Sequence, residues 1–245
     1  MAVKVETFLN NLNKALTANT FYLQGGFGQR LWVPDWYNKE YDWNTRNAYL
    51  INLHSAKKEH CFGFDCVCLI KSALWGFDAD INKEYGGAVY KSNDVPDCTT
   101  KAMAESCSDL TTRWDIELDP GEIVVYDAKA SHVGVYIGNG AVIESTTAWD
   151  CKVQKTLLPG IANPNKLPVR QWYSHGHTTF VDYKDTFENA FNKLSEKYGE
   201  LEASLEEMKM KLANSENQRL MLAASNSIMK QQMQKVKEIV DTWKT

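Results

Sequence analysis

No stretch of this 245-residue chain approaches the roughly 18 consecutive apolar residues that a membrane span needs. Basic excess is missing as well. With 27 Lys and Arg against 31 Asp and Glu, the net charge is −4. That leaves no footprint for phosphate backbones or anionic lipid, so neither nucleic acid nor membrane is expected as a partner. The opening MAVKVETFLNNLNKAL breaks its apolar residues with Glu6, Asn10, Asn11, Asn13 and Lys14, so the continuous apolar run of a secretory leader is not expected. Six cysteines occur (Cys61, Cys66, Cys68, Cys98, Cys107, Cys151). Without a leader they fit reduced thiols better than a disulfide framework. In HCFGFDCVC, the cysteines lack the C-x-x-C spacing that brings two thiolates to one tetrahedral zinc. No metal or cofactor is expected.

Proline and cysteine are both absent beyond Tyr183, and Gly199 is the one glycine there. Seven of the eight tryptophans lie before that point, and a run rich in Glu, Lys, Gln, Met and Leu follows it. The change marks a boundary between residues 1–183 and a tail, 184–245. In the tail, Phe187, Phe191, Leu194, Tyr198, Leu201, Leu205, Met208 and Leu212 recur at alternating steps of four and three. The same frame continues through Ser215, Arg219, Leu222, Asn226, Met229, Met233, Val236, Val240 and Trp243. This is the seam of a coiled coil. A long helix with such a stripe must associate with another copy through residues 187–243, or fold back with ANSEN (213 to 217) as the turn of a hairpin. Ten basic and ten acidic tail residues balance, as on an ordinary solvated face.

Before the boundary, ETFLNNLNKAL has helical spacing, and TFYLQGGFGQRLW reads as a glycine-rich turn. A second helix is expected from Asp65, as its cap, to Gly76, as its end, and a third after Asp97. PGEIVVYDA, SHVGVYIGNGAVIEST and CKVQKTLL alternate as strands, with Gly138-Asn139-Gly140 as a hairpin tip. Helices first and antiparallel strands after make an α+β domain.

The stretch GFDCVCLIKSALWG places Cys66 at a helix N-terminus, where unpaired amides and the helix dipole favour thiolate. Cys68 would point about 200° away, so one nucleophile and one packing residue are expected, the alternative being two core cysteines. A nucleophilic cysteine needs a base held by a third group. Of five histidines, only His132 begins a predicted strand. If the hairpin loop is Gly138 to Gly140, Ile137 opposes Ala141 and Gly134 opposes Glu144. His132 and Glu144 then share a face as a diagonal pair, about 7 to 8 Å apart at the backbone. Val133, Val135, Ile137, Ala141 and Ile143 occupy the other face, an apolar set that selects this register over a two-residue loop.

Four segments, YLQGG, FDCVCLIKSALWG, GGAVYKSNDVPD and PGEIVVYDAKASHVGVYIGNGAVIEST, together resemble the NlpC-type cysteine peptidases of bacterial cell-wall metabolism, which have a papain-like core. The likeness spans about Phe21 to Tyr183. RQWYSHGHTTFVDY resembles the end of this domain in endolysins of phages that infect Gram-positive bacteria. The resemblance implies Cys66 as nucleophile, His132 as base and Glu144 in the third place, where the family more often has histidine. It implies substrate contact at Tyr22 and Asp65. Val67 and Cys68 replace the family's usual Ser-Gly, so of the groups that hold a substrate amine only Asp65 is present. The expected substrate is a peptidoglycan stem peptide, cut between γ-D-glutamate and the diamino acid or at a muramoyl-alanine amide; the alternative is a non-enzymatic phage assembly protein that uses the coiled coil. An endolysin without a leader would wait in the host cytoplasm until lysis.

Overall fold

The computed structural model describes residues 2–31, 41–56 and 60–242, without the side chains of 55, 56, 185–194, 196 and 236–242. The first strand, β1 (Val3–Lys4), leads into helix α1 (Val5–Thr17), which buries Val5, Phe8, Leu12 and Ala15 on one face, the spacing of an amphipathic helix. β2 (Thr20–Tyr22) and β3 (Phe27–Arg30) then flank the glycine-rich turn. Two short helices, α2 (Asp42–Arg46) and α3 (Ala48–Ala56), precede β4 (Phe62–Phe64), which pairs parallel with β2 and antiparallel with β3. The turn expected over TFYLQGGFGQRLW is therefore the centre of a small three-stranded sheet. Strands of three and four residues show no readable alternation, and these exist because β4, some 40 residues on, lies between them.

Helix α4 (Cys66–Leu74) follows at once, and all nine of its residues are buried. Its N-cap is Asp65, whose Oδ1 accepts the Cys68 N–H at 2.7 Å. At the other end the Phe77 N–H reaches Ser72 O at 2.9 Å and the Gly76 N–H reaches Ala73 O at 3.3 Å, with Gly76 at φ +92°. Those two bonds close the helix with a left-handed residue that only glycine adopts without strain. Helix α5 (Thr100–Glu105) is capped by Thr99.

The main sheet comprises β5 (Ile123–Val125), β6 (Val133–Tyr136), β7 (Ala141–Thr146), β8 (Lys152–Leu157) and β9 (Ser174–Gly176), antiparallel throughout in the order β8-β7-β6-β5-β9. Across the β6–β7 hairpin Val135 faces Ile143 and Tyr136 faces Val142. The Ile137 N–H donates to Ala141 O at 2.9 Å, so the loop is the three residues Gly138 to Gly140. This sets Gly134 opposite Glu144. One face carries Val133, Val135 and Ile143 into the core with α1 and α4, and the other carries Tyr136 and Val142 into a second apolar cluster with Leu118, Val124 and Trp172. β10 (Val181–Asp182) returns to pair with β1.

The described chain is thus α+β, and it divides into two units, Met1–Thr186 and Phe187–Thr245. The last helix, α6 (Lys184–Thr242), runs unbroken through residues 213 to 217. ANSEN is therefore not a turn, and the hairpin alternative is overturned: asparagine and serine lower helix propensity by only a few tenths of a kcal/mol each, too little to break a long helix that lacks proline. Trp243, the last seam position, lies outside the described residues. No described helix is long and apolar enough to cross a membrane.

Candidate active site

Cys66 is the first residue of α4, buried where α4 packs on β6, and the backbone amides of Val133, Val67 and Cys66 itself act to lower its thiol. Those amides favour thiolate, but they do not win. Burial, then the adjacent Asp65 carboxylate, pushes the Cys66 thiol up to about 12. The helix N-terminus favours thiolate less than burial opposes it, because a sulfur removed from water loses more than the nearby amides return.

His132 immediately precedes β6, and Nε2 lies 2.6 Å from Glu144 Oε2 on β7. The shared face and three-residue loop read from the sequence bring the two together. A nitrogen facing a carboxylate carries the proton, so Nδ1 is the basic atom of the ring. Among the described residues Nδ1 makes no hydrogen bond. The imidazole stacks on Trp172, with centroids 5.6 Å apart and planes 15° from parallel, while Tyr126 meets it edge-on at 6.5 Å.

Glu144 is fully buried. Its second oxygen, Oε1, accepts from Thr156 Oγ1 at 2.7 Å and from Arg170 Nε at 2.9 Å. Burial alone would raise this carboxyl, but the bond and charge of His132, then Arg170 and Thr156, hold it below its usual range. Arg170 is fixed in turn by the faces of Trp149, Tyr126 and Trp172, at 4.8, 5.3 and 5.6 Å, and by Thr146 Oγ1 at 3.2 Å.

A cleft of about 890 Å³ runs over the α4 N-terminus, bounded by Tyr22, Gln24, Tyr41, Asp65, Cys66 and Ser131 among others. Cys68 lines it too. Its offset on the helix does not remove it from the site, because the first turn of α4 stands at the cleft floor. Burial, then Asp65, raises its thiol well above the ordinary value as well. Tyr22 faces the cleft with its ring edge-on to Trp43 at 4.8 Å, and burial, then Cys66, raises its phenol, which stays protonated. Asp65 Oδ2 accepts the Gly25 N–H at 2.7 Å, so both its oxygens already hold backbone amides and join α4 to the glycine turn. Deeper in the cleft Lys71 pairs with Asp97, which also accepts from Tyr90.

Sequence reasoning missed Arg170, Trp172 and Thr156. Arg170 and Trp172 alternate in RQW, the period of an extended segment with one face inward, but nothing local says that this face meets Glu144. A second polar group lies apart from the cleft. Asp119, Glu122 and His177 offer ligand atoms within 4.8 Å of one another, as a metal would require. Those atoms are already engaged: His177 Nδ1 lies 2.7 Å from Asp109 and Nε2 3.2 Å from Asp119, while Glu122 accepts from the Asp119 N–H and meets His175. This is an ion-pair web that needs no cation.

No curated protein matches the sequence. Among solved structures, the peptidoglycan hydrolase RipB from Mycobacterium tuberculosis is 18% identical over 73% of this chain and 65% of its own, with a TM-score of 0.40. The chain therefore spans just under two thirds of RipB. The P60 domain of an antigen from M. avium subspecies paratuberculosis is 15% identical over 73% of this chain and 96% of its own, with a TM-score of 0.35. Residues 38–163, which hold Cys66, His132 and Glu144, match the NlpC/P60 family. Over half the chain is matched, and the chain belongs to the NlpC/P60 family.

Proposed function

We propose that this protein is a peptidoglycan hydrolase that cleaves an amide of the stem peptide, between γ-D-glutamate and the diamino acid, with Cys66 as nucleophile. The observation that carries the reading is the relay at the head of β6, the strand that α4 packs against: buried Glu144 holds His132 Nε2 at 2.6 Å. Family membership supplies the chemistry to which such a relay belongs.

Because the thiol is protonated at rest, His132 Nδ1 takes its proton as sulfur attacks the carbonyl carbon. The S–C bond forms and the C=O π electrons move to oxygen, where the Cys66 N–H and the Tyr22 phenol can donate. Collapse breaks the C–N bond, and the imidazolium returns the proton to the leaving amine. Water then attacks the thioester with His132 again as base, and Cys66 leaves as thiol with the carboxylic acid product. Glu144 stabilises the imidazolium at both steps. Asp65 borders the cleft where a free amine of the substrate would lie. Residues 1–183 would carry this chemistry and 184–245 self-association; the arrangement suits an endolysin released at lysis.

Clearing of purified peptidoglycan by the full chain tests the reading. Wild type should clear it, and Cys66→Ala and His132→Ala should not. Equal behaviour of all three would mean a fold kept for assembly.

A further inference from the structure

We propose that α6 pairs with α6 of a second copy of this chain as a parallel, in-register, two-stranded coiled coil. The proposal rests on the helix and its sequence and stands whether or not the cleft is catalytic. α6 is one helix of 59 residues. At the described seam positions Tyr198, Leu201, Leu205, Met208, Leu212, Leu222, Met229 and Met233 are all at least half exposed. A stripe repeating every 3.5 residues along such a length is covered by another helix that supercoils with it.

The charges beside the seam select the occupant and its direction. With Tyr198 and Leu205 as a positions and Leu201 and Met208 as d positions, the g row reads Lys197, Ser204, Lys211, Gln218, Ser225 and Gln232. The e row reads Glu202, Lys209, Glu216, Ala223, Lys230 and Lys237. In a parallel pair in register, each g residue meets the e residue five places on in the partner helix. Lys197 then meets Glu202, and Lys211 meets Glu216. The two-fold axis doubles both contacts, and every remaining pair in these rows has a neutral member. Lys211 pairs with Glu207 of its own helix in the single chain, a mostly solvated contact that it can exchange at little cost.

In an antiparallel pair g would face g, where the only charges are lysines, and e would face e, where at full overlap Glu202 meets Lys237 but Lys209 meets Lys230, so the two rows offer no net attraction. Arg219 and Asn226 are the polar a positions. A buried asparagine is satisfied by its own copy only when the two helices are level, which fixes register and favours two strands at some cost in stability. The result is a particle with two α+β units, which would hold an insoluble polymer more tightly than either unit alone.

Sedimentation velocity of the full chain at micromolar concentration, combined with oxidation of Asn226→Cys, is the test. The expected results are a species of twice 27.9 kDa and a disulfide-linked dimer formed by Asn226→Cys but not by wild type. Lys197→Glu with Lys211→Glu should weaken the dimer at least tenfold, and adding Glu202→Lys with Glu216→Lys should restore it. A monomer at these concentrations, a larger oligomer, or a dimer that fails to crosslink through position 226 would each overturn the proposal.

Discussion

Arg170 donates to Glu144 Oε1 at 2.9 Å, on the opposite oxygen from the one that meets His132. The carboxylate is therefore clamped from both sides, and its negative charge is held by a cation that does not take part in proton transfer. The three rings around Arg170 remove its freedom to swing away.

Arg170 accordingly acts as a positioning residue. Arg170→Gln should lower kcat by about ten- to a hundredfold, as loss of an outer partner that orients a metal-bound histidine does, with KM little changed. Glu144 would lose the charge that lowers its carboxyl, so the acid limb of the pH–rate profile should move to higher pH. Loss of rate with an unmoved acid limb would reduce Arg170 to a packing role.

Glu144→Gln removes the charge and keeps the shape. The amide can present NH₂ or O to the ring, so the tautomer is no longer fixed, and kcat should fall on the order of 10²- to 10⁴-fold. The variant also leaves Arg170 without its counter-ion, so thermal unfolding should show a destabilisation of about 3 to 5 kcal/mol. Glu144→His, the residue more common in the family, should recover part of the rate, and failure to do so would tie the orienting role to the carboxylate–guanidinium pair.

Burial of the Cys66 thiol has a direct consequence for alkylation. Iodoacetamide labelling of the Cys66 peptide, followed by mass spectrometry, should be slow at pH 7 and still rising above pH 9, since the thiol sits near 12. A plateau below pH 7 would mean a resting thiolate and a different first step.

Stability should report the web around His177. Burial works against the imidazolium, but Asp109, with Glu122 and Asp119, holds it above the ordinary histidine range, while His177 in turn holds Asp109 low. A raised pKa in the folded chain stabilises fully below the unfolded value of about 6.5 and is lost as pH climbs through the folded one. The lowered Asp109 stabilises above about 3.9 and is lost as pH falls. The difference in Tm between wild type and His177→Asn should therefore be largest between about pH 4 and 6.5 and shrink above it. A difference independent of pH would show that packing, and not charge, is what His177 provides.

The residues explain what could be read early. Asp65 and Gly76 announce α4 because capping is local chemistry, and the β6–β7 register follows from one apolar face and a three-residue glycine loop. These two inferences placed Cys66 at the α4 N-terminus and brought His132 to Glu144. Arg170 and Trp172 reach the site only through a return of the chain some 25 residues after Glu144, and no local period encodes that contact. β2, β3 and β4 were missed for the same reason: each is too short to alternate and exists through partners distant in sequence. Burial of Cys66, which works against the thiolate, is a property of the packed core that a cap motif does not report.

The products formed from purified peptidoglycan by the full chain report the nucleophile and the bond most directly. Mass spectrometry should show new free amines on the diamino acid, with stem fragments ending at D-glutamate, for wild type, and none for Cys66→Ala. The same products from both proteins, or no cleavage by wild type, would contradict catalysis by Cys66, and release at the muramoyl-alanine amide would keep the nucleophile but move the bond.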